Sequence, residues 1–186
     1  MKMLHKILLI IPLFSLLLSS SCKKNNNDDG LPPLTFEGKE TIGCKINGQP
    51  WVPKGISDPT GIQYPVEGGF YERPPFQGIQ VIINAVGPDY KLQLFCRQYD
   101  VGYLVPGKYY LNKNTSTVHG YGQIHSYGFI SAGAKEYITD SLHNGWIEVL
   151  KADSVSKIIS GRFEFEAFNT AENKIIKITD GRFDIK

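Results

Sequence analysis

The sequence lacks both the cysteine density of a disulfide-stabilised miniprotein and an apolar run long enough to cross a bilayer. Only three cysteines occur in 186 residues, and a chain of this size can bury enough surface to fold without cross-links or a structural metal. The apolar stretch at residues 7–18 has 12 residues, whereas a transmembrane helix needs about 18 or more. These absences exclude a cysteine-rich scaffold and a membrane span at this segment.

An excess of one charge is missing as well. Lys2 and Lys6 precede residue 22, which leaves 18 basic residues against 18 acidic residues in the rest of the chain. A chain with balanced charge has no long-range field that would attract nucleic acid. We therefore expect no nucleic-acid partner.

Local motifs for catalysis or cofactor binding are also missing. The chain contains no HExxH, no CxxC, no GxSxG and no glycine-rich phosphate loop that follows a strand and opens a helix. These are the patterns of zinc proteases, redox or zinc sites, serine hydrolases and nucleotide-binding proteins. Glu164 and Glu166 lie beside Arg162 on one predicted strand, which is typical of a solvated charge pattern. We predict a protein without catalytic activity, cofactor or metal.

The N-terminal residues have the pattern of an export signal. A cationic start precedes the apolar residues 7–18, and three serines lead directly into Cys22. This arrangement resembles the lipobox of bacterial lipoproteins, in which the cysteine is acylated and the residues before it are removed. An ordinary secretory signal and an uncleaved anchor are the alternatives.

The lipobox resemblance implies a division of the chain. It implies a signal peptide at residues 1–21, a flexible tether at residues 22–35 that begins with lipidated Cys22, and one domain at residues 36–186. Several acyl chains, palmitate among them, would anchor Cys22 effectively permanently. The lysines and paired acids of residues 23–29 resemble the surface-export signal of Bacteroidetes lipoproteins, and a solvated linker is the alternative. We expect an outer-membrane protein whose domain faces either the cell surface or the periplasm.

The remaining chain has the period of β-strands. From residue 41 onward apolar and polar residues alternate, and Asn47-Gly48 marks a hairpin turn. Further strands are predicted at residues 79–86, 90–97, 145–151, 157–169 and 174–186, the last as one strand or a hairpin that turns at Asp180-Gly181. Residues 132–140 allow a short helix. The pattern predicts an all-β domain, an antiparallel sandwich or open barrel.

Two segments break the strand pattern. Residues 53–77 contain five prolines and four glycines, which predicts a long loop that is either functional or loose. Residues 119–133 are rich in glycine, tyrosine and histidine, and we interpret them as a strand pair weakened by glycine or as a surface loop. Because binding residues are concentrated on loops, any ligand site is expected to involve these segments.

Three short motifs carry a family resemblance. Residues 159–167 (ISGRFEFEA) and 178–184 (ITDGRFD) resemble the closing strands of an uncharacterised family of Bacteroidetes lipoproteins, and residues 43–51 (GCKINGQPW) are similar to its first hairpin. The resemblance spans most of residues 36–186. It implies a structural signature and no assigned activity.

Aromatic residues are the main candidates for ligand binding. Their number exceeds what one sheet face is expected to bury, and amphipathic rings at a surface can stack on sugars or contact proteins. Tyr109 and Tyr110 should lie on opposite faces of a strand, so that one of them meets solvent or a loop. The alternative is that the rings cap the ends of a sandwich. The predicted binding residues are Tyr71, Phe76, Tyr121, Tyr127 and Tyr137.

The cysteines that follow Cys22 allow two interpretations. Cys44 and Cys96 could form a disulfide, because an exported protein meets an oxidising compartment. They could also be two buried thiols, because each shares a strand face with aliphatic residues.

We therefore expect an outer-membrane-anchored lipoprotein that acts as a monomeric, non-catalytic binding or accessory module. Its partners would be the membrane, through the N-terminal lipid, and a glycan or an envelope or host protein. One alternative is a hydrolase or metal-dependent enzyme, and another is a structural subunit of a cell-envelope complex. The enzyme would use His119, His125, Asp140 and His143.

Overall fold

All regular structure in the described part of the chain is β-strand. The computed structural model describes residues 29–59, 61–72, 79–98, 105–112 and 125–186. Within these ranges no helix is long and apolar enough to cross a membrane. The strands are β1 (Thr41–Ile46), β2 (Gln49–Trp51), β3 (Ile56–Asp58), β4 (Gly61–Gln63), β5 (Val66–Glu72), β6 (Ile79–Val86), β7 (Lys91–Gln98), β8 (Gly107–Leu111), β9 (His125–Ala132), β10 (Lys135–Ile138), β11 (Gly145–Asp153), β12 (Ile158–Asn169) and β13 (Lys174–Ile185).

Eleven of these strands form one antiparallel sheet that divides at β12. The main path runs β2-β1-β13-β12-β10-β9-β7-β6-β5, and β11 also pairs with β12 and carries β8. Strand β12 is long enough to pair with β11 near its start and with β10 near its end. The sheet curls so that β5, at one end of the path, contacts β12. The result is a half-barrel, which confirms the predicted all-β antiparallel fold.

The inner face of the curled sheet holds one hydrophobic core. In β12 and β13 the buried residues alternate with charged ones, so that Phe163, Phe165 and Phe183 are at most 3% exposed while Arg162 is exposed. Every second residue of a strand points to the same face, and the charged residues therefore lie on the outer face. The core includes aliphatic residues from β1, β6, β7, β9 and β11 as well.

The turn between β1 and β2 has the predicted chemistry. Asn47 and Gly48 both have positive φ, 49° and 83°, as a type I′ hairpin requires. The backbone N–H of Asn47 donates to the carbonyl of Lys177, and the backbone N–H of Lys177 donates to Oδ1 of Asn47. The hairpin is therefore attached to β13. The predicted meander is confirmed too, since β6 pairs with β7 throughout its length.

The long loop predicted at residues 53–77 is wrong for most of its length. Its first part forms the small β3–β4 hairpin, and Val66–Glu72 forms β5, which pairs along β6. Backbone pairing with β6 stabilises β5 although Gly68 and Gly69 lower its strand propensity. Residues 73–77 lie outside the described residues. In the second irregular segment, residues 125–132 form β9, and residues 119–124 lie outside the described residues.

The short helix allowed at residues 132–140 is also wrong. Strand β9 ends at Ala132, a turn follows in which Gly133 has a φ of 62°, and β10 begins at Lys135. Alanine, lysine and glutamate favour helix locally. The antiparallel pairing of β10 with β9 overrides that preference.

Asp180-Gly181 is a bulge and not a turn. Strand β13 continues through this dipeptide, and its register shifts against both β1 and β12 at this point. Asp180 has a φ of 54°, and a Cβ on Gly181 would lie 2.5 Å from the carbonyl oxygen of Phe163. Asp180 is the extra residue of the bulge and has no register partner on β1 or β12. The extra residue bends β13.

The chain contacts the domain well before residue 36. Asp29 forms an ion pair with Arg182, and Pro32 packs so closely on Gly43 that a Cβ there would lie 2.6 Å from the proline ring. The hydroxyl of Thr35 donates to Asp184. Residues 29–35 therefore lie on the sheet, and the contacts begin earlier than the boundary expected from the sequence.

Candidate functional site

Trp146 lies at the centre of the outer face formed by β8, β11, β12 and β13. On β11 it alternates with Ile147, which is 1% exposed, and so it points away from the core. Its cross-strand neighbours are Glu164 on β12 and Tyr110 on β8. Close approach of β11 to β12 requires the preceding Gly145, because a Cβ there would lie 2.0 Å from the carbonyl oxygen of Glu164.

Two clefts meet at Trp146 and Glu164, and together we call them the Trp146 groove. The first cleft has a volume of about 440 Å³ and the second a volume of about 430 Å³. The groove therefore extends along the sheet surface on both sides of the indole ring. Besides the two shared residues, the first is lined by Leu142, Asn144, Glu166 and Lys177, and the second by Leu34, Arg162, Asp180 and Arg182.

Aromatic surface is available beside the groove. The phenol of Tyr110 is 67% exposed, and Nζ of Lys108 lies 4.1 Å from the centroid of the Trp146 ring, which is a cation–π contact. Tyr109 points the other way and its hydroxyl donates to the carbonyl of Val105. The prediction that these two tyrosines lie on opposite faces is confirmed.

Of the cationic side chains described along the groove, two form ion pairs and one does not. Nζ of Lys177 lies 2.7 Å from Oε1 of Glu166, and Arg182 pairs with Asp29. Arg162 lies opposite Glu148 on one side and Arg182 on the other. Across the described ranges, no carboxylate oxygen lies within ion-pair distance of the Arg162 guanidinium. Glu166 is therefore already paired with Lys177, whereas Arg162 can still bind an anionic ligand.

A buried carboxylate, that of Asp184, lies on β13 two residues after Arg182. The side chain of Asp184 is 1% exposed and accepts hydrogen bonds from the hydroxyls of Ser160 and Thr35, both at 2.6 Å. It also accepts backbone N–H groups of residues 37–39. Burial alone would raise the pKa of Asp184, but these donors outweigh burial and lower the pKa to about 2. This carboxylate is fully occupied by structural contacts.

A model of the domain of unknown function DUF6252 matches residues 76–184, which is more than half of the chain. The chain belongs to the DUF6252 family. The DUF6252 segment contains β6 to β12 and nearly all of β13, and so it includes Trp146, Arg162 and Arg182. Asp29 precedes it. No curated protein and no solved structure matches the chain.

The candidate enzyme residues are brought together only in part. Asp140 accepts backbone N–H groups of Leu142 and His143, and Nδ1 of His143 lies 3.1 Å from its carboxylate. Burial raises the pKa of Asp140, but the hydrogen bonds from His143 and Leu142 bring it below its usual range. The His143 ring stacks on Phe168 at 4.4 Å. The contact between Asp140 and His143 therefore stabilises the loop between β10 and β11.

The other members of the predicted enzyme set stay untested. His119 lies outside the described residues, and only the backbone of His125, the first residue of β9, is described. Among the residues that the structure describes, no group of three His, Cys, Asp or Glu side chains could hold a metal ion.

Of the predicted binding tyrosines, Tyr137 is the one whose side chain the structure describes, and it does not line the groove. Tyr137 lies in the core, 5% exposed, with its hydroxyl donated to Glu172, and burial keeps its ring from a ligand on the surface. Tyr71 and Tyr127 lie on β5 and β9, of which only the backbone is described at these positions. The remaining predicted positions, Phe76, Tyr121 and the lipidation site Cys22, lie outside the described residues.

Cys44 on β1 and Cys96 on β7 lie in the core as buried thiols. Burial raises the pKa of Cys44 to about 12.

Trp146 is the functional candidate that the sequence analysis missed. The segment GWIEVLK predicts a strand, but that prediction alone does not say which face holds Trp146. Trp146 shares its parity with Glu148, and this charged neighbour indicates that the indole lies on the outer face of the DUF6252 sheet.

Proposed function

We propose that this protein is a lipoprotein, anchored through Cys22 to the outer membrane of a Gram-negative bacterium, whose β domain binds a glycan without catalysis. The anchor rests on the resemblance of residues 19–22 to a lipobox, and the bacterial group rests on the resemblance of the closing strands to Bacteroidetes lipoproteins. The binding function rests on the Trp146 groove.

The groove has the chemistry that sugars require. A sugar ring presents a face of C–H groups that stacks on an aromatic ring, and its hydroxyls exchange hydrogen bonds with charged side chains. Trp146 on β11 lies between its cross-strand neighbours, Tyr110 on β8 and Glu164 on β12. Arg162 lies two residues before Glu164 and therefore on the same face of β12. Two clefts that meet at the indole suit a chain of several sugars.

A glycan array tests the binding function. The probe is the mature chain with Cys22→Ala, which removes the lipid, applied to an array of neutral and acidic oligosaccharides. Trp146→Ala should weaken binding about tenfold or more, since an anchoring aromatic side chain contributes over 1 kcal/mol. The control is Tyr64→Ala, because Tyr64 is also an exposed aromatic residue, 63% exposed, and does not line the groove.

Two array results would contradict the binding function. One is that no array member is bound by the mature chain. The other is that Trp146→Ala and Tyr64→Ala bind every array member as tightly as the parent.

Cell fractionation tests the anchor separately. Wild-type protein should fractionate with the outer membrane and Cys22→Ala should be released from it, because only the acylated cysteine holds the domain there. Protease added to intact cells then shows which side the domain faces. A Cys22→Ala protein that stays in the outer-membrane fraction would contradict the proposed lipid anchor.

A further inference from the structure

Two arginines oppose each other at one end of the Trp146 groove. Arg162 on β12 and Arg182 on β13 are direct cross-strand partners, and both line the second cleft together with Trp146. Like charges directly opposite each other on a sheet are destabilising unless an anion neutralises them. This pair, the two-arginine end of the groove, is therefore a place where an anion is stabilised.

The protein supplies one such anion from its own N-terminal segment. Asp29 reaches Nη2 of Arg182 from a position 153 residues earlier in the chain, and its other oxygen accepts the backbone N–H of Leu31. Leu34 of the same segment lines the second cleft. Burial raises the pKa of Asp29, but the hydrogen bonds from Leu31 and Arg182 lower it below its usual range. The carboxylate of Asp29, which lies outside the strands, therefore neutralises one of the two arginines, Arg182.

We propose that the two-arginine end binds the carboxylate of an acidic sugar, and that Asp29 occupies this position until such a ligand displaces it. The inference rests on the proposed function, since it names the class of glycan that the groove accepts. A guanidinium binds a carboxylate through two parallel hydrogen bonds. Arg162, which has no ion pair within the described ranges, provides the second cation.

The neighbouring acids favour a single carboxylate over a more highly charged group. Glu164 and Asp180 line the same cleft as the two arginines, and Asp180 is itself paired with Lys45 at 2.8 Å. Carboxylates in the same cleft repel a phosphate with its double charge more strongly than a uronate with a single one. They also accept hydrogen bonds from sugar hydroxyls. The cleft thus matches a ring that carries hydroxyls and one negative charge.

Displacement of Asp29 would also shorten the part of the N-terminal segment that is attached to the sheet. The next side-chain contact of the segment is Pro32, which packs on Gly43. Release of residues 29–31, which precede this contact, would add roughly 10 Å of extended chain at about 3.5 Å per residue. Binding of an acidic sugar would therefore extend the reach of the domain from its attachment point.

The test uses matched acidic and neutral probes. Galacturonate and glucuronate oligosaccharides are printed beside their carboxyl-reduced forms, in which each carboxylate has become an alcohol. The mature Cys22→Ala chain should bind at least one uronate oligomer about tenfold more tightly than its reduced form. Arg162→Gln should remove that difference. Asp29→Asn should raise the affinity for the acidic form about two- to fivefold, since it removes a competing, partly buried ion pair. Glu37→Gln, which alters the surface pair with Lys39, should leave that affinity unchanged.

Each other outcome overturns a defined part of the proposal. The acidic-sugar inference is overturned if the acidic and reduced forms bind equally, or if only neutral glycans bind through Trp146. The glycan-binding function would still hold in both cases. Loss of all glycan binding overturns both. Vesicles of phosphatidylcholine with phosphatidylglycerol form the third probe. Vesicle binding that depends on Arg162, without uronate binding, would assign the site to lipid phosphate and overturn the inference.

Hydrogen exchange tests the displacement directly. The backbone N–H of Leu31 is bonded to Asp29, so its exchange should accelerate when a bound uronate oligomer displaces the carboxylate. Asp29→Ala, which removes the acceptor, should accelerate the same exchange without any sugar. An exchange rate at Leu31 that stays constant through saturation with the uronate oligomer would overturn the role of Asp29.

Discussion

The hydroxyl of Thr35 donates a hydrogen bond of 2.6 Å to Oδ2 of Asp184, which lies 149 residues later in the chain. Asp184 receives backbone N–H groups from residues 37–39 as well, so one buried carboxylate holds the segment that leads into β1. Without this carboxylate, several donors would be left without an acceptor in a buried site.

Asp184→Asn should lower the free energy of unfolding by about 3 kcal/mol, because an amide presents one acceptor oxygen where the native carboxylate presents two. Urea denaturation measures the change. Ser160→Ala removes one donor of the same cluster and serves as the comparison, with an expected loss of about 1 kcal/mol. An asparagine variant as stable as the wild type would show that the cluster contributes nothing to folding.

The same carboxylate predicts how stability depends on pH. Its pKa is about 2 in the folded protein and about 3.9 in an unfolded chain, so the unfolded state binds more protons in this interval. The resulting stabilisation, about 2 kcal/mol, is complete above about pH 4–5 and is lost as pH falls towards 2. Unfolding curves between pH 6 and pH 2 should therefore fall more steeply for wild type than for Asp184→Asn. Parallel curves would contradict the lowered pKa.

Asn47 combines a backbone and a side-chain requirement at the β1–β2 turn. Asn47→Ala should cost about 2 kcal/mol, because it places a Cβ in the left-handed region and removes the bond to the backbone of Lys177. Asn47→Gly removes the bond but adopts the same φ freely, so its cost should be about 1 kcal/mol lower. Thermal or urea unfolding measures both, and equal losses would show that the conformation of residue 47 carries no cost.

The sequence predicted those parts of the fold that depend on neighbouring residues. Asn47-Gly48 specifies its turn through its own φ preferences, and the alternation in β12 specifies which side chains are buried. The helix allowed at residues 132–140 was wrong because pairing with β9 outweighs the local preference. Asp180-Gly181 has the composition of a turn, but the strands on both sides hold it in a bulge within β13.

The groove could not be predicted because it depends on long-range pairing. Trp146 meets Tyr110 and Glu164 only through the order β8-β11-β12, and no local pattern specifies that order. Arg182 meets Asp29 across 153 residues. The outward direction of Trp146 could be read from its parity with Glu148, whereas the opposition of Arg162 and Arg182 requires the register of β12 on β13.

Gly145→Ala should be strongly destabilising. A Cβ at this position would lie 2.0 Å from the carbonyl oxygen of Glu164 and 2.3 Å from Cα of Phe165, and neither backbone atom can move without breaking the pairing of β11 with β12. We expect a loss of about 3 kcal/mol or more. Gly133→Ala is the control, since a Cβ there has open space and meets only the cost of a positive φ, about 1 kcal/mol. Comparable losses would mean that β11 and β12 can separate at Gly145 without penalty.

Counting alkylated thiols distinguishes two buried thiols at Cys44 and Cys96 from a disulfide between them. Burial raises the pKa of Cys44 to about 12, so at pH 8 only about one molecule in ten thousand carries the reactive thiolate. In a Cys22→Ala, Cys96→Ser variant, Cys44 should resist iodoacetamide in the folded state and react fully in guanidinium. Rapid labelling of the folded variant would contradict the burial of Cys44.

In Cys22→Ala alone, denaturation without reductant should give two alkylated cysteines by mass, because both lie in the core as thiols. Alkylation that appears only after reduction would instead establish a bond between Cys44 and Cys96, and β1 and β7 would then have to approach within the distance that a disulfide spans.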